Sequence, residues 1–224
     1  MVKNKYIIAL VIIAIIGLFL FYNSSQHSVL GTNTKGYVTK DVYNHYGSTD
    51  KKIAVITGMH PRENLSETIV PESIKAYALT HNIEIVNYKV IVTSNPDSFT
   101  ISRNNGENLV AQYVIPDIKK SNYDLVIICH DHEKGYGEGY YIATPSMDGK
   151  SVTLAQAVHQ ILTDFNYYQR DTSKRTQSTS ITKVDNPITN TGTPVFVYEI
   201  PEEDGYFNSF YNSKKLIDTS LDVL

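Results

Sequence analysis

An α/β fold, with a mixed, largely parallel central sheet flanked by helices, is predicted by three observations. Leu125 to Cys129 is an unbroken apolar run and Ile53 to Ile56 a second, and strands apolar on both faces belong at the centre of a sheet covered by helices. Stretches with helical apolar spacing alternate with these runs. Several strands also end in chemistry-bearing side chains, at the edge where open α/β sheets bind their ligands.

Composition sets the outer bounds. A chain of 224 residues, 42% hydrophobic, is long enough for one domain with a sizeable core. A formal charge of -3 gives no electrostatic case for nucleic acid. The single cysteine, Cys129, excludes an internal disulfide.

Tyr6 to Tyr22 is an uncharged apolar stretch of 17 residues preceded by Lys3 and Lys5. It predicts an N-terminal transmembrane helix over residues 1–23, with tyrosines at both interfaces. A cleaved secretory signal is the competing reading; the apolar stretch is long for one, and 23–31 holds no A-x-A-like site. By the positive-inside rule the lysines put the amino terminus in the cytoplasm and the remainder outside the cell membrane. Residues 24–50, polar and containing Gly31, Gly36 and Gly47, read as a tether into a domain over 51–224.

The first strand, Ile53 to Ile56, runs into Gly58 and then His60 and Glu63. Imidazole nitrogen and carboxylate oxygen are zinc donors, and a catalytic zinc site usually takes three protein ligands and leaves a position open for water. H-x-x-E supplies two. Such a pair also arises by chance, so its place at a strand's carboxyl end carries the weight. Residues 66–81 read as a helix, although Pro71 fits best in a first turn. Ile83 to Ser94 alternates as a strand and closes on Asn95-Pro96-Asp97.

Ser98 to Leu109 reads as a polar loop holding Arg103, Asn104 and Asn105. A helix over 110–120, with Pro116 as a kink or start, leads to the strand Asp124 to Glu133, which ends in His130 and His132. Both point to the same side of an extended chain, and either is eligible as a ligand. Glycines in 133–139 follow no phosphate-binding pattern. Ser151 caps a helix running to Phe165, and 166–193, with Arg170, Lys174 and Arg175, is a long surface excursion. The last strand, Pro194 to Ile200, carries Glu199 at its end, and a helix over 205–224 closes the chain.

This order, GMHPRE, NPD, the ICH of Ile128 to His130, then FVYEI around Glu199, resembles the zinc carboxypeptidase (funnelin) family and its aspartoacylase and succinylglutamate desuccinylase relatives. The resemblance covers residues 51 to 205. It implies Zn2+ held by His60, Glu63 and His130, catalysis by Glu199 with Arg103 holding an oxyanion or carboxylate, and substrate contacts from Arg103, Asn104 and Asn105. The implied activity is that of a metallopeptidase-like hydrolase, cleaving a peptide or acyl-amino-acid amide by metal-activated water. The sequence departs from true carboxypeptidases at Glu107-Asn108-Leu109, where their Asn-Arg pair would stand. An inactive module that binds peptide or envelope ligands is the alternative.

Overall fold

The computed structural model describes residues 2–23, 25–44, 49, 51–174 and 178–224, without the side chains of 2–4, 20–23 and 44. Of the positions invoked above, Gly47 and Arg175, and the side chains of Lys3 and Tyr22, lie outside the described residues.

Eight strands form one sheet: β1 (Ser25–Asn33), β2 (Gly36–Asn44), β3 (Lys52–Thr57), β4 (Glu84–Val92), β5 (Leu125–His132), β6 (Tyr141–Thr144), β7 (Asn166–Gln169) and β8 (Val195–Pro201). Their order is β1-β2-β4-β3-β5-β8-β6-β7. The centre, β4-β3-β5-β8, is parallel, as is the outer pair β6-β7, while β1-β2, β2-β4 and β8-β6 pair antiparallel, so the predicted mixed sheet is observed.

The tether reading of 24–50 is corrected. β1 and β2 form a hairpin on the sheet edge, with β2 paired along its length to β4 and Val38 fully buried. Its turn needs glycine: Gly36 has φ +151, and a Cβ there would lie 2.0 Å from the Ile91 carbonyl oxygen. Gln26, His27, Ser28 and Thr32 lie on exposed positions of β1, a polar run that composition reads as loop.

The predicted membrane anchor, with a cytoplasmic amino terminus and an external domain, is also corrected. The amino-terminal helix α1 spans Val2–Asn23, and no helix among the described residues is long and apolar enough to cross a membrane.

Among the described residues six further helices cover the sheet: α2 (Asn64–Ala78), α3 (Phe99–Leu109), α4 (Ile115–Ile118), α5 (Gly149–Ile161), α6 (Asn186–Thr189) and α7 (Tyr206–Val223). Strand alternation sorts side chains between two cores. Ile53, Val55, Ile127, Cys129, Phe196 and Tyr198 face α2, α5 and α7; Ala54, Ile56, Val126, Ile128, Val195 and Val197 face α3, α4 and α6.

Three local expectations change. The predicted loop 98–109 is α3, because the Ser98 side chain caps it by accepting from Ile101 N and Gly106 lets the helix lie against the Met59 carbonyl. A π-helical turn, Val110–Val114, carries α3 into α4, where Pro116 takes an early helical position that needs no N–H. Helix α5 is capped by Asp148, whose Oδ1 accepts from Ser151 N, and not by Ser151. Pro71 lies inside α2 beyond its first turn.

Candidate metal centre and cleft

Two strand ends bring the site together. Gly58, at φ +70, turns the chain out of β3, and a Cβ there would lie 2.5 Å from the Val90 carbonyl oxygen. That turn swings His60 and Glu63 over the carboxyl edge of the sheet. In β5, His130 shares the parity of Val126 and Ile128, so it projects on the α3 side. Glu199 is its register partner in β8 and projects on the same side.

The Glu63 carboxylate lies between both rings. Its Oε1 is 2.8 Å from His60 Nδ1, and its Oε2 is 2.6 Å from His130 Nδ1. The rings stack with centroids 4.4 Å apart. Arg103 Nη1 donates to Oε1 at 3.2 Å. One ligand atom from each of His60, Glu63 and His130 falls within 4.8 Å of the others, and all three residues are buried.

Charge in this cluster is divided unevenly. Burial works to raise the Glu63 carboxyl, but attraction to His130 and hydrogen bonds from both rings outweigh it and hold the group near 2. Burial and then repulsion from His130 push His60 down to about 4. Burial opposes the charging of His130, yet the Glu63 carboxylate wins and lifts it to about 9. Two imidazoles and a carboxylate aimed at one point are a donor set that fits zinc, whereas magnesium prefers oxygen alone. His60 Nε2 is buried without a hydrogen-bond partner among the described residues, so the ring is held by the Glu63 hydrogen bond and by stacking on His130.

His132 is placed otherwise. Its Nε2 is 2.9 Å from the Gly139 carbonyl oxygen, and its ring lies 5.1 Å from that of Tyr141. Asn104 and Asn105, expected at the substrate, are not on the cleft wall: Asn104 accepts from Lys183 Nζ, and Asn105 ties α3 to the end of β4 through Ser94 O. They follow Arg103 in sequence, but the α3 helix turns them away.

The cluster opens into a cleft of about 1020 Å³ whose walls include Phe99, Arg103, Tyr141, Tyr168, Arg170, Asp185 and Glu199. Glu199 is half-buried; desolvation raises its carboxyl to about 7 against the attraction of His130. Phe99 is flanked by two guanidiniums, Arg62 at 4.9 Å and Arg103 at 5.2 Å from the ring.

Solved structures reproduce this architecture. The metallo-carboxypeptidase of Burkholderia cenocepacia superposes with a TM-score of 0.66 at 13% identity, over 94% of this chain and 67% of its own. That of Pseudomonas aeruginosa, in complex with (2-guanidinoethylmercapto)succinic acid, gives 0.61 at 12% identity, over 89% and 64%. The fold is that of the metallo-carboxypeptidases. A succinylglutamate desuccinylase from a Silicibacter species shares it, with a TM-score of 0.52 at 12% identity, over 88% and 66%. No family model matches the sequence, and no curated protein matches it significantly.

This carboxypeptidase-like chain spans about two thirds of the length of those structures. Its cleft also holds residues that pattern reading passed over. Asp185, from the π-helical turn Ile181–Asp185, lines the cleft fully buried, with Oδ1 lacking a partner. Burial raises its carboxyl to about 7. A lone Asp in a polar excursion carries no sequence signal of this kind. Arg62 was in plain view between His60 and Glu63, and its adjacency to the motif was the available clue.

Proposed function

We propose that this chain is a zinc-dependent hydrolase that cleaves the amide bond of a peptide or acyl-amino acid. The observation carrying the reading is the convergence of His60 Nδ1 and His130 Nδ1 on the two oxygens of Glu63, with Glu199 beside them on the same face. Two solved neighbours support the substrate class, one being a succinylglutamate desuccinylase and one a metallo-carboxypeptidase in complex with (2-guanidinoethylmercapto)succinic acid.

His60, Glu63 and His130 would hold the ion, which when bound supplies a Lewis acid that polarises a carbonyl and acidifies water. Glu199 takes a proton from the attacking water at its carboxylate and returns it to the leaving amine. A carboxyl raised to about 7 suits both directions of that transfer near neutral pH. Arg103, one donor of which already meets Glu63, offers its remaining N–H groups to the negative charge that develops on the carbonyl oxygen. Phe99 restricts the swing of that guanidinium by lying under it.

The test is zinc content by elemental analysis, followed by hydrolysis of a panel of peptides and acyl-amino acids, for the wild type and Glu199→Gln. Roughly one zinc per chain in both, with hydrolysis only in the wild type, is expected. A chain that takes up no zinc on reconstitution sinks the reading. Zinc with no hydrolysis of any substrate, but with peptide binding, leaves a binding module in its place.

A further inference from the structure

Helix α2 begins directly after Glu63, which occupies the N-cap position yet makes no side-chain cap. Its carboxylate cannot cap, because it is turned into the cluster between His60 and His130. The first amides of a helix have no intrahelical acceptor and require one from elsewhere, most often from the N-cap side chain to the second or third helical residue. Here these amides belong to Leu65 and Ser66. Both are bonded to Asp131, with Leu65 N to Oδ2 at 2.7 Å and Ser66 N to Oδ1 at 2.7 Å.

Asp131 lies on β5 next to His130, with opposite parity, so it faces α2 while His130 faces the cluster. One residue pair on β5 thus holds both ends of the helix entry: His130 binds the Glu63 carboxylate, and Asp131 binds the backbone two and three residues later. We infer that Asp131 is a positioning residue that substitutes for the cap Glu63 gives up and thereby fixes Glu63 opposite His130 for metal binding. The inference rests on the metal reading above and adds to it a residue that touches neither metal nor substrate. Partners that orient metal ligands from behind typically change metal affinity ~10–100-fold when removed.

An internal control separates positioning from plain helix capping. Asp148 caps α5 by the same chemistry, through Ser151 N at 3.0 Å, and lies off the cleft. Zinc affinity would be measured by competition with a chromophoric chelator for the wild type, Asp131→Ala, Asp131→Asn and Asp148→Ala, each checked for folding by circular dichroism. Amide hydrogen exchange at Leu65 and Ser66 would be followed in the metal-free proteins. Asp131→Ala is expected to lose zinc affinity ~10–100-fold and to exchange faster at both amides. Asp131→Asn, which keeps one acceptor oxygen, is expected to fall between, and Asp148→Ala to bind zinc as the wild type does. Equal affinity in Asp131→Ala and the wild type, or an equal loss in Asp148→Ala, overturns the inference while leaving the metal site intact. A wild type that binds no zinc overturns the metal reading itself, and this inference with it.

Discussion

The two faces of the sheet are built from the same strands and differ in what they leave unsatisfied. On the α2, α5 and α7 side, Ile53, Val55, Ile74, Leu125, Ile127, Phe196 and Leu216 form an apolar core, and the orphaned groups among the described residues include the hydroxyls of Ser73, Ser209 and Ser220 and the amide nitrogen of Asn87. On the other side, next to an apolar core of its own, lie buried Glu63, His60, His130, Glu107 and Asp185, with orphans at His60 Nε2 and Asp185 Oδ1. An unpaired hydroxyl costs ~1–3 kcal/mol, but an isolated buried carboxylate costs far more and shifts its protonation instead. One face is therefore largely apolar, its buried carboxylate Asp131 being matched by the α2 amides, and the other gathers its ionisable groups at the cleft.

The sharpest way to break this contrast is to remove a ring from the cluster. His130→Ala is expected to abolish zinc uptake, read by elemental analysis, because it removes one of the three donors and the main partner of Glu63. It should also cancel the rise in melting temperature that zinc gives the wild type. Retained zinc in this variant would mean that the metal reads other residues and that the polar face is merely strained. Next in size is Glu199→Gln. Loss of a general base is expected to cost ~10²–10⁴-fold in kcat with zinc content unchanged. A fall confined to KM would assign Glu199 to binding.

The apolar face should respond in the opposite way. Ile74 is fully buried on the inner side of α2, and Ile74→Ala is expected to cost ~2–5 kcal/mol in urea denaturation. Zinc affinity of the folded fraction should stay near that of the wild type. A zinc loss as large as that of His130→Ala would show that the two faces are not separable.

How much of this was legible beforehand follows from the range of each signal. The apolar runs of β3, β5 and β8 announce themselves because they are buried on both sides, and His60, Glu63, His130 and Glu199 sit at their ends, where local pattern and site coincide. The choice between His130 and His132 was not legible: both share a parity, and what separates them are partners distant in sequence, Glu63 for His130 and the Gly139 carbonyl for His132. β1 was hidden because an edge strand carries exposed polar residues, and β2 because it interleaves polar Thr39, Lys40 and Asp41 with its apolar positions. Helix α3 was hidden because its buried positions other than Leu109, namely Ser102, Asn105, Gly106 and Glu107, are polar or small, so its periodicity is invisible to hydrophobicity. The caps from Asp131 and Asp148 differ in the same sense, since one is local in sequence and the other crosses the fold.

The smallest effect concerns the acid that the cleft leaves unpaired. Asp185 is buried, and desolvation lifts its carboxyl from 3.8 to about 7, opposed by His130 and reinforced by Glu107. A carboxyl raised in the fold binds its proton more tightly there than in the unfolded chain, so its contribution is fully present below the unfolded value and is lost as pH rises through the folded one. Between about pH 4 and pH 7 the metal-free wild type should therefore lose stability relative to Asp185→Asn, which cannot ionise. At ~1.4 kcal/mol per unit the difference is on the order of a few kcal/mol, measurable as a gap between urea midpoints that opens with pH and then levels off. A gap constant from pH 4 to pH 8 would mean that Asp185 finds a donor in solution. The polar face would then be better satisfied than its geometry indicates, and its contrast with the apolar face would rest on the metal cluster alone.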